Sequence, residues 1–322
     1  MRMKALMLTG CVALASIAFA PAVMAAAWPE KPVRIIIPWP PGGSTDIVGR
    51  LVAAELTNRF KQQVIIDNRA GAGGIVGMQI ATAAPPDGYT LMMTSTAYGY
   101  LIDKPKIPVD LVKSFVPVVL LGFGDSALTV HPSLPVKTVK ELIVLAKAKP
   151  GALNYASSGI GGFPHMNTEL FKLKTGTNIV HVPFKGGGPA LMDTIAGQTQ
   201  VYLSTLVTVA PGVNSGRLRI LGVGGAKRVA SMPNVPTISE TVPGFETYIW
   251  WGIFAPPGTP AAAIARMHEE SNAVMAAPDM VKRLAEQGGV NKKMSTAEFG
   301  QLMVSEQARW SDVIKAAGIK GE

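Results

Sequence analysis

A glycine-rich turn between a strand and a helix is the first place in the sequence where chemistry is expected. The apolar run Ile35–Ile37 predicts a buried strand, prolines and glycines then break it, and helical spacing of apolar residues begins at Ile47. Backbone N–H groups at the N-terminus of a helix attract anions. The residues expected to present such groups are Gly42, Gly43, Ser44 and Thr45.

The same turn also fits a strand-to-helix connection that binds nothing. In that interpretation Ser44 or Thr45 caps the helix, and Asp46 lies in its first turn, where the helix dipole favours an acid. Arg50 follows Asp46 by four residues, so we expect an ion pair that makes Asp46 chiefly structural. The alternative is that Asp46 receives the ammonium group of an amino-acid ligand. No Gly-Lys-Ser/Thr follows the glycines, which excludes a nucleotide-phosphate loop of that type.

Two further glycine loops repeat the arrangement of strand, loop and helix. One follows a strand at 64–67 and the other follows a strand at 153–156, while Val76 stands where a dinucleotide fingerprint needs glycine. Ligands of parallel sheets lie at the carboxyl ends of the strands, so loop and strand-end residues are candidates for a binding site. These candidates are Ala72, Gly73, Gly74, Thr94, Ser157, Ser158 and Gly159.

Nucleophilic catalysis is a second hypothesis, and it rests on Ser157 with His165. The segment Tyr155–Gly159 resembles a nucleophile elbow but lacks its leading glycine, and no acid is placed to orient His165. Binding or capping is therefore the favoured role of Ser157, with a secreted serine hydrolase kept as the alternative. The four histidines have no metal-ligand spacing, so we expect neither a metal site nor a cofactor.

The N-terminus has the features of an export signal. Arg2 and Lys4 precede an apolar run, and alanines at 25–27 offer a cleavage site, so residues 1–27 are predicted to be removed with Cys11. The mature protein is then expected in the periplasm without cysteine. The chain carries a net charge of +9, but it has no basic run with interleaved aromatics, which argues against nucleic-acid binding.

The order of elements predicts an α/β protein with two lobes. Each lobe is expected to hold a doubly wound, mainly parallel sheet, and two hinge crossings join them. The predicted first lobe comprises residues 28–123 and 252–322, and the second comprises 124–251. Apolar runs at 115–122 and 126–130 predict two separate strands. Three C-terminal helices should pack back on the first lobe, and Trp250 and Trp251 should be core residues.

Several motifs in one order identify a family resemblance that spans the mature chain. They are WPEKP at 28–32, PWPPGGSTD at 38–46, NRAGAGG at 68–74, PDGY at 86–89, YASSG at 155–159, HVPFKGG at 181–187 and FAPPGTP at 254–260. With the export signal, they resemble the Bug-type, TctC-like solute-binding receptors of the tripartite tricarboxylate transporter family. The resemblance implies a periplasmic, monomeric, non-enzymatic receptor with the type II binding-protein fold, which serves membrane transporter subunits.

The resemblance also implies a ligand class and a mode of binding. Family members hold di- and tricarboxylates, aromatic acids or amino acids, and one carboxylate is gripped by amides of the first two glycine loops and by ordered water. Two departures change the expected pocket. Residues 198–204 read QTQVYLS, so acids common in relatives are replaced by amide and hydroxyl groups, including Ser204. Trp39 stands where relatives usually carry a smaller aromatic residue, and it is expected to shape the pocket.

Overall fold

The computed structural model describes residues 28–96, 110–286 and 288–319. The predicted leader, residues 1–27, lies outside these ranges. The strands are β1 (Val33–Ile37), β2 (Val64–Asn68), β3 (Thr90–Ser95), β4 (Val116–Val130), β5 (Asn154–Ser157), β6 (Val180–Pro183), β7 (Val201–Thr205), β8 (Arg219–Val223), β9 (Tyr248–Ala255) and β10 (Gly289–Val290). The helices are α1 (Ser44–Phe60), α2 (Ile75–Thr82), α3 (Leu111–Ser114), α4 (Val139–Ala148), α5 (Phe163–Thr175), α6 (Gly187–Ile195), α7 (Leu206–Asn214), α8 (Ala261–Ala276), α9 (Pro278–Glu286) and α10 (Thr296–Ala317).

The first half of the molecule is built on three parallel strands, as the βαβαβ pattern predicted. β1 pairs in parallel with β2 on one side and with β3 on the other. β1 is rich in β-branched residues because both of its faces are buried, and Ile35, Ile36 and Ile37 are at most 1% exposed. The apolar stripe of α1 shares a core cluster with Ile35 and Ile37. This packing fixes the N-terminus of α1 directly after the carboxyl end of β1.

β4 is one strand of 15 residues, whereas the sequence predicted two. Its first part pairs antiparallel with β9, and its last five residues pair antiparallel with β7 and β8. The predicted gap fell on residues 123–125, but these residues continue the ladder opposite Tyr248–Trp250. Gly124 is required there because the ring of Trp251 occupies the space that a Cβ would need. β4 therefore runs from one half of the sheet into the other.

The second half of the sheet is mixed rather than mainly parallel. β5 pairs in parallel with β6 and β7, but both partners that β4 has in this half are antiparallel to it. The second half is mixed because β4 continues into it from the first half. There β4 runs in the opposite direction to β7 and β8. The α/β class and the arrangement in two sheet halves are nevertheless as predicted.

The C-terminal helices pack only partly as predicted. α8 contacts α1 and β4, as expected, but α10 contacts both β4 and α5. Phe299 and Met303 of α10 share a cluster with Trp250, while Trp310 lies against Met166 of the second half. Trp250 and Trp251 are fully buried, which confirms their core role. Among the described residues, no helix combines the length and the apolar character needed to cross a membrane.

Candidate functional site

Four helix N-termini meet at one cavity between the two halves of the sheet. Helix α1 comes from the first half, and α5, α6 and α7 come from the second. The cavity has a volume of about 50 Å³. Its walls are formed by Trp39, Ser44, Thr45, Ser95, Ser158, Phe163, Pro164, Gly186, Gly187, Ser204, Thr205, Thr208 and Ile249. Several of these carry hydroxyl groups, and none of these lining residues is ionisable.

Three of these helices begin at a glycine that offers no side-chain cap. Gly43, Gly162 and Gly186 are the N-caps of α1, α5 and α6, and none of the three helices has a side-chain capping bond. Away from the cavity, Thr138 caps α4 and Ser295 forms a capping box on α10, whereas α2 and α8 also have no side-chain cap. The first N–H groups of a helix have no intrahelical partner. At the cavity they are therefore left for a guest with acceptor atoms.

The two halves of the molecule touch beside this cavity. A Cβ placed on Gly42 would lie 3.6 Å from the Cα of Gly188, and one placed on Gly186 would lie 2.7 Å from Cγ of Pro40. A Cβ on Gly187 would lie 3.6 Å from the Cα of Gly43. The two 3.6 Å distances are ordinary van der Waals contacts, whereas the 2.7 Å distance at Gly186 leaves no room for a side chain there. The first glycine loop and the loop before α6 thus meet beside the cavity.

The first glycine loop is held by Asp46. The N–H of Gly42 donates to Oδ2 of Asp46 at 3.0 Å, and Nε of Arg50 donates to Oδ1 at 3.0 Å. Burial alone would raise the pKa of this carboxyl, but hydrogen bonds from Arg50, Gly42 and Asn68 outweigh burial and hold the pKa below its ordinary value. Asp46 does not line the cavity. The predicted ion pair is confirmed.

The sequence suggested that the hydroxyl group of Ser44 or Thr45 caps α1, but neither side chain does so. The N-cap is Gly43. Ser44 Oγ accepts a hydrogen bond from Nε1 of Trp251 at 3.3 Å, and Thr45 Oγ1 donates to Ser95 Oγ at 3.2 Å. Both side chains instead form part of the cavity wall. Of the other predicted residues in this loop, Gly42 and Gly43 lie at the contact between the halves.

The second glycine loop lies behind Trp39. Its residues Ala72–Gly74 form a short 3-10 turn, and a Cβ on Gly74 would lie 3.0 Å from Cη2 of Trp39. The indole ring lines the cavity, whereas Ala72, Gly73 and Gly74 do not. The larger aromatic side chain at position 39 therefore stands between this loop and the cavity.

Ser157 belongs to a buried network rather than to the cavity wall. It is fully buried, and its Oγ lies 2.5 Å from Nε2 of His181 and accepts the N–H of Gly159 at 3.1 Å. His165, the base predicted for the hydrolase hypothesis, accepts the N–H of Gly161 at Nδ1 and stacks on His181. No hydrogen bond to Ser157 comes from His165. The network shapes the third glycine loop, and this loop presents Ser158 to the cavity.

The cavity includes residues that sequence reasoning missed. Thr94 was predicted, but its neighbour Ser95 lines the cavity, because successive side chains of a strand point to opposite faces. Ser204 was predicted and lines the wall together with Thr205, which begins α7. The strand end before α7 carried a detectable signal in the run Ser204–Thr205. No comparable indication in the sequence pointed to the other lining residues, which are Phe163, Pro164, Gly186, Gly187, Thr208 and Ile249.

The stacked histidines predict a loss of stability in mild acid. Burial lowers the pKa of His165 and of His181 from 6.5 to about 4, and each is further lowered by a nearby positive group or histidine. Below pH 6.5 the unfolded chain then binds more protons than the folded one, so stability falls as the pH drops towards 4. Asp125 opposes this fall, because burial and Glu246 raise its pKa to about 6.

We expect the free energy of unfolding to fall by roughly 2 kcal/mol between pH 7 and pH 5.5, after the opposing effect of Asp125 is included. Urea denaturation at the two pH values measures this change. Replacing His181 with glutamine should reduce the pH dependence, and Asp125→Asn should increase it. A denaturation midpoint that is the same at pH 7 and pH 5.5 in all three proteins would contradict this account.

Comparisons with known proteins agree with the fold. The sequence profile of a family described as the tripartite tricarboxylate transporter family receptor matches residues 48–319. The protein BugT of Bordetella pertussis is 32% identical over 324 residues, which cover 99% of each chain.

Two solved structures hold small acids. Rpa4515 of R. palustris with adipate is 34% identical, with a TM-score of 0.88 over 91% of this chain and 99% of that one. MatC from Rhodopseudomonas palustris with bound malate is 29% identical, with a TM-score of 0.82 over 89% and 100%. No comparison supports the serine hydrolase hypothesis. The chain belongs to the tripartite tricarboxylate transporter receptor family of Bug-type, TctC-like solute-binding proteins, and it has their two-lobed fold.

Proposed function

We propose that this receptor captures a small carboxylate between its two lobes and delivers it to a tripartite tricarboxylate-type transporter. The observation that carries the proposal is the meeting of four helix N-termini at one cavity, three of them without a side-chain cap. Such N-termini bind anions through backbone N–H groups and through the helix dipole. The relatives solved with adipate and with malate support the same ligand class.

The proposed grip divides between the lobes. One carboxylate is bound by backbone N–H groups at Gly43–Thr45, with ordered water in between, because the N–H of Gly42 already donates to Asp46. Ser158 and Ser204 contribute hydroxyl groups from the other side. We propose that the lobes are 28–123 with 252–322, and 124–251. These boundaries fall within β4 and β9, the strands that pair along the junction. The second glycine loop acts through Trp39, which it supports.

The wall chemistry favours a ligand without an ammonium group. Within the three described ranges, no acidic side chain lines the cavity, and the nearest predicted acid, Asp46, is already paired with Arg50. An ammonium group would lose its hydration there without gaining a carboxylate. Among the di- and tricarboxylates, aromatic acids and amino acids that the family binds, we therefore favour acids that carry no positive charge.

Replacing Asp46 with asparagine should affect folding more than binding. The change removes the charge that holds Arg50 and the N–H of Gly42, and we expect the free energy of unfolding to fall by about 1–2 kcal/mol. Affinity for a plain carboxylate should change by less than about threefold. Urea denaturation and calorimetric titration measure the two effects, with Arg50→Gln as the matched control. Loss of amino-acid binding alone, with plain carboxylates still bound, would show instead that Asp46 receives an ammonium group.

The cellular setting is part of the proposal. We propose a monomeric periplasmic protein whose leader is cleaved between Ala25 and Trp28, and whose partners are the membrane subunits of its transporter. Mass spectrometry of a periplasmic fraction should find a mature chain that lacks Cys11. A lipid attached to Cys11 at the N-terminus would contradict this cleavage.

A thermal-shift screen tests the function directly. The mature protein is heated with succinate, malate, adipate, citrate, phthalate, benzoate or glutamate, and with adipamide as the uncharged control. A ligand at a hundred times its Kd stabilises the folded state by about 2.7 kcal/mol, which raises the melting temperature by a few degrees. At least one acid should stabilise the protein while adipamide does not. Stabilisation by adipamide and adipate alike would contradict carboxylate recognition.

A further inference from the structure

The indole ring of Trp39 is fixed in the wall of the cavity. A Cβ on Gly74 would lie within 3.0–3.4 Å of three atoms of the benzo edge of the ring, so this edge packs directly on the second glycine loop. The carbonyl oxygen of Trp39 accepts a hydrogen bond from Nδ2 of Asn68 at 2.9 Å. Trp39 also lines the cavity, together with residues at the helix N-termini from the second half. Trp39 is thus held in one orientation before a ligand arrives.

The indole N–H of Trp39 is enclosed but has no acceptor among the described residues. Its Nε1 is buried from solvent. The other tryptophan near the site, Trp251, donates its N–H to Ser44 Oγ at 3.3 Å. A buried donor without a partner is unfavourable, and proteins retain few of them. At Trp39 the residue that carries this unpaired donor is also one of the residues that line the cavity.

An enclosed N–H is not by itself the sign of a ligand. Trp28 also has a buried Nε1 without a partner, but its ring packs on Phe60 and Tyr89, and it does not line the cavity. Trp39 differs because it is one of the residues that line the cavity. Trp28 therefore provides a matched control, since it carries the same group in a place that a ligand does not reach.

We propose that the indole N–H of Trp39 donates a hydrogen bond to a second acceptor of the ligand, so that the receptor selects dicarboxylates over the corresponding monocarboxylates. The inference rests on the proposed function, in which the first carboxylate occupies the N-terminus of α1. A dicarboxylate supplies the acceptor that Trp39 lacks. A monocarboxylate of the same length places a methyl group or a ring edge there and leaves the N–H unpaired.

The test combines one substitution with pairs of acids that differ only in the second carboxylate. Calorimetric titrations use succinate with butyrate, adipate with hexanoate, and phthalate with benzoate, on the unmodified protein, Trp39→Phe and Trp28→Phe. The unmodified protein should prefer one of the dicarboxylates to its partner. Trp39→Phe should weaken that dicarboxylate about 10- to 100-fold while changing the monocarboxylate less than about threefold. Trp28→Phe should change neither affinity.

The possible failures are distinct. Equal weakening of both acids of a pair by Trp39→Phe would mean that the ring only packs against the ligand, and no weakening of either acid would mean that Trp39 is not a recognition group. Both results would overturn the inference and leave the proposed function standing. A preference of the unmodified protein for the monocarboxylate would have the same consequence. Failure of the unmodified protein to bind any of the six acids, or any acid of the thermal-shift screen, would count against the proposed function and remove the basis of the inference.

Discussion

Replacing Gly186 with valine is expected to weaken ligand binding by about a hundredfold or more. Gly186 is the N-cap of α6, and a Cβ there would lie 2.7 Å from Cγ, 3.0 Å from Cδ and 3.1 Å from Cβ of Pro40. The proline ring is too stiff to yield, so the first glycine loop and the α6 loop would be held apart. If closure supplies the second wall of the site, a penalty of about 2.7 kcal/mol on the closed form lowers affinity a hundredfold.

The control must separate blocked closure from backbone strain. Gly186 has φ +130°, which valine adopts with difficulty in either conformation. Gly176 has φ +63° at the end of α5, and a Cβ there would meet nothing within 4 Å. Gly176→Val should therefore lower stability without lowering affinity. Small-angle scattering with and without ligand should show compaction in the unmodified protein and in Gly176→Val, but not in Gly186→Val. Equal affinity in all three proteins would contradict the role of this contact.

Local patterns were sufficient to predict the elements that carry the first glycine loop. The end of β1, the proline and glycine break and the apolar stripe of α1 are properties of adjacent residues, and the structure has them where the sequence placed them. The ion pair of Asp46 with Arg50 follows from helical spacing in the same way. The order of elements also predicted the two-lobed fold, and the comparisons with known proteins confirm it.

Contacts between distant residues could not be predicted in this way. β4 continues through Gly122–Asp125 because β9 pairs with it there, and a glycine-rich segment by itself suggests a break. Trp39 covers the second glycine loop through a contact with Gly74, which is 35 positions away in the chain. Ser157 has His181 as its partner, although His165 is nearer in sequence, because β5 and β6 pair side by side. Each of these results depends on register and packing.

Valine at Gly43 should weaken carboxylate binding by roughly 10- to 1000-fold. Hydrogen bonds to an ionised group contribute about 1.5–3 kcal/mol each, and the loss of one or two gives that range. Gly43 has φ −82°, which other residues adopt readily, and a Cβ there would meet nothing within 4 Å. The variant should therefore fold with little strain. Its effect comes from the branched side chain that crowds the acceptor at the start of α1.

Lys185 provides the control for Gly43→Val, because its replacement removes a side-chain charge and leaves the backbone at the start of α1 unchanged. It is exposed, it precedes α6 and it does not line the cavity, so Lys185→Ala should change affinity less than about threefold. Calorimetric titration of both variants with the acid found in the thermal-shift screen, at two salt concentrations, compares the backbone with a side-chain cation. A larger loss for Lys185→Ala than for Gly43→Val, with strong salt dependence, would show that a side-chain charge holds the anion. Such a result would contradict the assignment of the first carboxylate to the N-terminus of α1.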